Sequence, residues 1–269
     1  MIKTLLSPFK NFGWFKRLNA KVSYELLAKY IPADDWHFMN YGYVPEPGER
    51  TLDLPDDPKV QRYPMQMYYC LALKAEIPGK NVLEVGSGRG GGARLIAERL
   101  KPATYTGLDL AHNAVELARR IHQLPNLRFI QGSADAIPVA DNSIDVVINV
   151  ESSHAYPSVD KFFTEVKRVL KPSGRLVMVD FRYTPQMELF KTQIRNSGMT
   201  LLLEEDITAN VVKAIEAENA AKVQRIRTLF PPKWQKLFSE FAGVVGSKFH
   251  RNLVDRDRLY YRFVLEKTA

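Results

Sequence analysis

Residues 80–92 read KNVLEVGSGRGGG. The run Val82-Leu83-Glu84-Val85 has the length and apolar content of a buried strand. It stops at Gly86, and Gly88, Gly90, Gly91 and Gly92 follow within six residues. Ala93 to Leu100 then takes up a helical pattern. A strand, a glycine-rich turn and a helix open a nucleotide-binding α/β unit. Glycines let backbone N–H groups come close to a ligand, and the helix N-terminus favours negative charge there.

The turn by itself admits more than one ligand. Gly86-x-Gly88-x-x-Gly91 satisfies the dinucleotide fingerprint, and Asp109 lies at the spacing of a ribose-binding acid. Three features weigh against a pyridine nucleotide. Glu84 sits inside the strand, where a charge is costly unless a bound cation or a ring of N–H donors partners it. Gly132-Ser133-Ala134-Asp135 follows a third strand-like run, Leu127 to Ile130. A fourth run ends in the polar cluster Asn149-Val150-Glu151-Ser152-Ser153-His154. As a set, over about residues 41–181, these motifs resemble the class I S-adenosyl-L-methionine (SAM) methyltransferases.

That resemblance implies an α/β fold with a Rossmann-like, seven-stranded sheet and helices on both faces. Its last strand would lie antiparallel beside the fifth. The cofactor would be SAM, with S-adenosyl-L-homocysteine as product. Gly86, Ser87 and Gly88 would hold the amino acid end of SAM. Asp109, followed by Leu110, would hold the ribose, and Ser133, Ala134 and Asp135 would flank the adenine. Glu84, Asn149 and Glu151 complete the expected cofactor side.

The periodicity predicts strands at 81–86, 104–109, 127–131, 144–149, 174–181, 199–204 and 259–266. It predicts helices at 60–75, 91–100, 112–122, 159–170 and 185–198. Strands alternating with helices imply a parallel sheet with right-handed crossovers and ligands at the carboxyl ends of the strands. Residues 208–234 read as a long helical region broken at Pro231-Pro232, and 233–251 as one amphipathic stretch. The expected organisation is a helical cap and SAM lid at 1–75 and a SAM-binding core at 76–205. A helical substrate lid follows at 206–256, between strands six and seven, and the last core strand at 257–269.

His154 is the expected base. Methyl transfer is an in-line displacement in which the enzyme mainly aligns the groups. A hydroxyl nucleophile must also lose a proton, and imidazole titrates in the right range. Asp180, at the end of the fifth strand, is expected to orient it. The aromatic stretch 36–43, WHFMNYGY, suits a lid over a sulfonium cation. By the family pattern its last tyrosine, Tyr43, would reach the cofactor. His37, His112, His122, His154 and His250 show no ligand spacing, so no metal is expected.

Hydrophobic residues make up 45% of the 269, enough for a proper core, and the lone Cys70 excludes an intramolecular disulfide. No apolar run approaches a membrane span. The net charge of +8 is concentrated at the ends. Residues 1–24 carry five Lys and Arg and no acid, and residues 221–269 carry 11 against 4 acids. A reversible interfacial helix and a helix packed over the active-site mouth would both look like residues 1–24. The expectation is a cytoplasmic protein, peripheral to a membrane if those residues bind one, with no nucleic-acid partner and an open oligomeric state.

A second resemblance covers nearly the whole chain. FMNYGY (38–43), LDLPDDP (52–58), LEVGSGRGGGA (83–93), YTGLDL (105–110), NVESSHAYP (149–157) and YRFVLEK (261–267) are similar to the O-methyltransferases of phthiotriolone-type lipids. It implies O-methylation of a lipophilic acceptor, a lipid or other natural product. Two competitors stay open. One is a C-methyltransferase on an isoprenoid, with Glu151 and Tyr41 or Tyr156 stabilising a cation. The other is a non-catalytic SAM-fold or membrane-surface module.

Overall fold

A computed structural model describes residues 37–57 and 60–268. The expected cap before His37, and the basic segment 1–24 within it, lie outside the described residues.

Helix α1 (Arg62–Ala72) leads into β1 (Asn81–Val85), α2 (Gly91–Arg99), β2 (Thr104–Asp109), α3 (His112–Ile121), β3 (Leu127–Gln131) and β4 (Ile144–Val150). Then come α4 (Val159–Val169), β5 (Leu170–Tyr183), α5 (Thr184–Arg195) and β6 (Thr200–Asp206). Three helices, α6 (Thr208–Leu229), α7 (Pro232–Ala242) and α8 (Lys248–Val254), precede β7 (Arg258–Glu266). The strands form one sheet in the order β3-β2-β1-β4-β5-β7-β6. The first five run parallel, and β7 pairs antiparallel with both β5 and β6. The chain reverses its winding between β1 and β4, so the cleft above their carboxyl ends is where a ligand binds in such sheets.

Alternation along each strand divides the core. Val82, Val146, Ile148, Val177 and Val179 join one buried cluster. Their neighbours Leu83, Val147, Leu176 and Met178 join the other. Successive side chains of a strand point to opposite faces, so a sheet covered on both sides needs apolar residues at nearly every position. The helices supply one apolar stripe each: α4 buries Phe162, Phe163, Val166 and Val169, and Ser158 caps its first turn by accepting the Lys161 N–H at 3.3 Å. A third, small cluster joins α6 to α7 through Ile226, Ala242 and Val244, with Phe230 stacked on Phe238 at 3.6 Å.

Two expectations of the sequence need correction here. The fifth strand is longer than 174–181, because β5 continues back to Leu170, opposite Ile144 of β4. The stretch 233–251 is two helices, not one. Gly243 takes a left-handed φ of 64° and its N–H closes on the Glu240 carbonyl, which ends α7.

Candidate active site

The glycine turn folds back on the tip of β2. The N–H groups of Gly86 and Ser87 both donate to the Leu108 carbonyl, at 2.8 and 3.0 Å. The Gly88 N–H donates to Asp109 Oδ2 at 2.7 Å, and the Ala111 N–H to Asp109 Oδ1 at 2.9 Å. Gly86 has φ +81°, and a Cβ there would overlap Ser152. At Gly92 it would overlap the ring of Tyr68. Gly86 and Gly92 are therefore closed to any larger residue.

The cleft above this glycine cradle is walled by Gly86, Ser87 and Gly88, by Asp109 and Leu110 at the end of β2, and by Ser133 and Ala134 after β3. Glu151 and His154, after β4, line it too. These expected residues come together at one place. Five others do not line it: Asp180, which lies behind His154, and four residues of the expected cofactor side. Asp135 is turned aside, its carboxylate taking the Ser133 hydroxyl. Asn149 is fully buried beneath the floor, its Nδ2 within 2.9 Å of Val85 O, Ser152 Oγ and Tyr156 Oη.

Glu84 is 0% exposed and points into the core, where it accepts the hydroxyls of Tyr68 and Tyr105, both at 2.8 Å. Its partners are two tyrosines rather than a cation or a ring of N–H donors. Burial pushes its carboxyl up to about 7 despite those hydrogen bonds.

Tyr43 is 1% exposed, with its hydroxyl on Glu49 at 2.5 Å, its ring 5.2 Å from the Arg262 guanidinium, and no part in the cleft. The tyrosine that reaches the cleft is Tyr41, two residues earlier. Its ring stacks on Phe249 at 3.9 Å and meets Phe181 edge-on at 5.9 Å. Its N–H donates to Glu151 Oε1 at 2.8 Å. Burial pushes the Glu151 carboxyl up to about 8, against the hydrogen bonds from Tyr260 and the Tyr41 N–H.

His154 sits on a single 3₁₀ turn, Ser153–Ala155. Its Nδ1 is 2.9 Å from Asp180 Oδ1, and its ring lies 4.4 Å from that of Phe181. Asp180 is wholly buried and saturated with donors. Ser153 Oγ donates to it at 2.6 Å, the His154 N–H at 2.9 Å and the Phe181 N–H at 2.8 Å, and Arg182 pairs with it at 3.1 Å. Burial alone would raise its pKa, but the Arg182 guanidinium and His154 hold it well below the usual carboxylate range. An ionised carboxylate only accepts. In the neutral ring the proton therefore belongs on Nδ1 and the lone pair on Nε2.

The sequence reading expected a helical lid at 206–256 but named none of its residues as part of the site. Glu218, Lys222, Arg225 and Ile226 of α6, with Phe241 of α7, line the same cleft. Spaced four apart on a helix, Glu218 and Lys222 carry the pattern of a solvated ion pair. Only the tertiary placement of α6 shows otherwise. Among the described residues, no group of three or more His, Cys, Asp or Glu side chains is placed to hold a metal ion.

Cradle, acid-tipped β2 and polar β4 end define a nucleoside-binding methyl-transfer cleft, and the comparisons agree. A methyltransferase domain model matches residues 83–178. A fatty-acid O-methyltransferase of Mycolicibacterium smegmatis is 39% identical over 74% of this chain and 75% of that protein. A phthiotriol/phenolphthiotriol dimycocerosates methyltransferase of Mycobacterium ulcerans is 40% identical over 91% of this chain and 88% of that one. The fold is shared by the geranyl diphosphate C-methyltransferase of Streptomyces coelicolor, solved with S-adenosyl-L-homocysteine. It has a TM-score of 0.65 at 15% identity, covering 91% of this chain and 98% of that one.

The protein is a SAM-dependent methyltransferase. It belongs to the family of lipid methyltransferases that the two mycobacterial relatives represent.

Proposed function

We propose that this protein transfers the methyl group of SAM to a hydroxyl of a lipid, with His154 as the base. The observation that carries the reading is the His154 Nδ1–Asp180 bond of 2.9 Å beside the cleft. When bound, SAM supplies an activated methyl and a neutral leaving group. What this chain contributes is placement. Gly86, Ser87 and Gly88 would cradle the methionine part, Asp109 would hold the ribose, and Ala134 would border the adenine. His154 Nε2 would take the proton of an acceptor hydroxyl, and Asp180 would stabilise the imidazolium that results.

A carboxylic acid acceptor is already ionised at neutral pH and needs no base. A buried aspartate holding a histidine in one tautomer therefore favours a hydroxyl over a fatty acid. The cleft walls Tyr41, Phe181, Ile226 and Phe241 suit an apolar acceptor. Helices α6 to α8 act as the lid that selects it.

The test is product analysis with methyl-labelled SAM and long-chain alcohols, acids and isoprenoids. An ether product that is lost in His154→Ala, with SAM still bound, supports the reading. Full turnover in that variant, or a methyl found on carbon, would overturn it.

A further inference from the structure

Glu218 and Lys222 stand one turn apart on α6 and are 6% and 8% exposed. Both line the cleft. Neither oxygen of the Glu218 carboxylate has a hydrogen-bond partner. Among the described residues Lys222 makes no ion pair or hydrogen bond; its ammonium lies 5.9 Å from the centre of the Tyr41 ring. Two opposite charges buried one turn apart without pairing are a costly arrangement when nothing compensates it. A structural ion pair would have closed. Burial raises the Glu218 pKa, against the pull of Lys222 and Arg225; burial lowers that of Lys222, helped by the like charge of Arg225 and opposed by Glu218 and Glu151. The cluster is chemically incomplete until something sits in it.

We infer that Glu218 and Lys222 form a second polar subsite of the acceptor pocket, built for a free hydroxyl other than the one that is methylated. A hydroxyl donates to the carboxylate and accepts from the ammonium at once. A carboxylate on the acceptor would meet Lys222 and Arg225 but be repelled by Glu218. An amine would meet Glu218 but be repelled by Lys222. An ester or ether oxygen only accepts, and would leave Glu218 unsatisfied. A neutral donor–acceptor group alone answers both sides. The preferred acceptor is therefore a lipid with two hydroxyls, one at His154 and one at α6. This rests on the hydroxyl reading above.

The experiment measures binding to protein loaded with S-adenosyl-L-homocysteine, so that turnover is not needed. Long-chain diols of stepped hydroxyl spacing are compared with the mono-alcohol and the fatty acid of equal length. At the best spacing the diol is expected to bind the wild-type protein about 10-fold more tightly than the mono-alcohol. Glu218→Met removes that advantage while still binding S-adenosyl-L-homocysteine, which reports that it folds. Glu218→Gln, of the same shape without the charge, binds the fatty acid about 10-fold more tightly than wild type does. Equal binding of diol and mono-alcohol to wild type overturns the subsite, as does a diol advantage that survives Glu218→Met. If the diol preference holds but no ether forms with SAM, the subsite stands and the O-methylation reading falls. If ether forms equally from both alcohols and they bind equally, the reverse is true.

Discussion

His154 and Asp180 carry the chemistry of the proposed reaction, and they divide it unequally. Asp180→Asn replaces a pure acceptor with a group that can also donate, so the imidazole is no longer held with its proton on Nδ1. Turnover on a hydroxyl acceptor is expected to fall by roughly 10² to 10⁴ with the SAM dissociation constant unchanged, measured by steady-state kinetics beside calorimetry. Glu84 offers a separate test in the core. A carboxyl raised in the fold stabilises the protein below its unfolded value of 4.5, and that contribution is lost as pH climbs through about 7. Glu84→Gln has no such loss. The stability of the variant relative to wild type should therefore grow by about 3 kcal/mol between pH 4 and pH 8, in urea titrations at stepped pH. Glu151, also raised, is present in both proteins and cancels. A pH-independent difference would remove Glu84 from the account. The acid itself was legible in the sequence; its partners were not. Tyr68 and Tyr105 reach it from a helix and a neighbouring strand, and nothing local to residue 84 announces them. The choice between Tyr41 and Tyr43 failed for a similar reason: residues two apart in an extended segment look alike until the packing of Arg262 and Phe249 separates them.

At the scale of elements, β7 does more than complete the sheet. Its Arg262 is 3% exposed and reaches Glu205 of β6 at 2.6 Å and Glu49 of the loop before α1 at 3.0 Å. The Glu49 carboxyl would be raised by burial, but the Tyr43 hydroxyl and Arg262 hold it at about 2. Arg262→Met would leave Glu205 without its ion pair and Glu49 with only Lys74, at 3.4 Å, to balance its charge. A loss of about 3 kcal/mol is expected in chemical denaturation, because breaking one side of a buried pair strands the other. A loss under a few tenths would mean that water replaces the guanidinium freely. The glycine turn was the most legible element, because strand, breaker and helix each leave a local mark and the turn's N–H groups must face something. The helices after β6 were legible as helices and expected as a substrate lid, but the residues that they turn to the cleft were not. Pro231 and Gly243 mark where α6 and α7 end; no local rule says which face looks inward.

For the whole molecule, the cradle predicts that donor binding is read out as stability. SAM at about 100 times its dissociation constant should add about 2.7 kcal/mol, seen as a rise in melting temperature that NAD at equal concentration does not produce. A shift with NAD and none with SAM would contradict the family assignment. The sheet order was accessible from alternation together with family resemblance, since periodicity alone does not fix where the last strand inserts. That insertion separates the protein's assembly into two stages. The parallel run from β3 through β5 can pair as it is made, strand by strand. β6 cannot: its partner in the sheet is β7, which is synthesised only after α6, α7 and α8 have been made. A nascent chain leaving the ribosome therefore carries an unzipped β5 edge and an orphan β6, with half the acceptor wall attached, until the final strand clears the exit tunnel. Chaperone dependence during translation should peak in that interval and fall once β7 is free to pair.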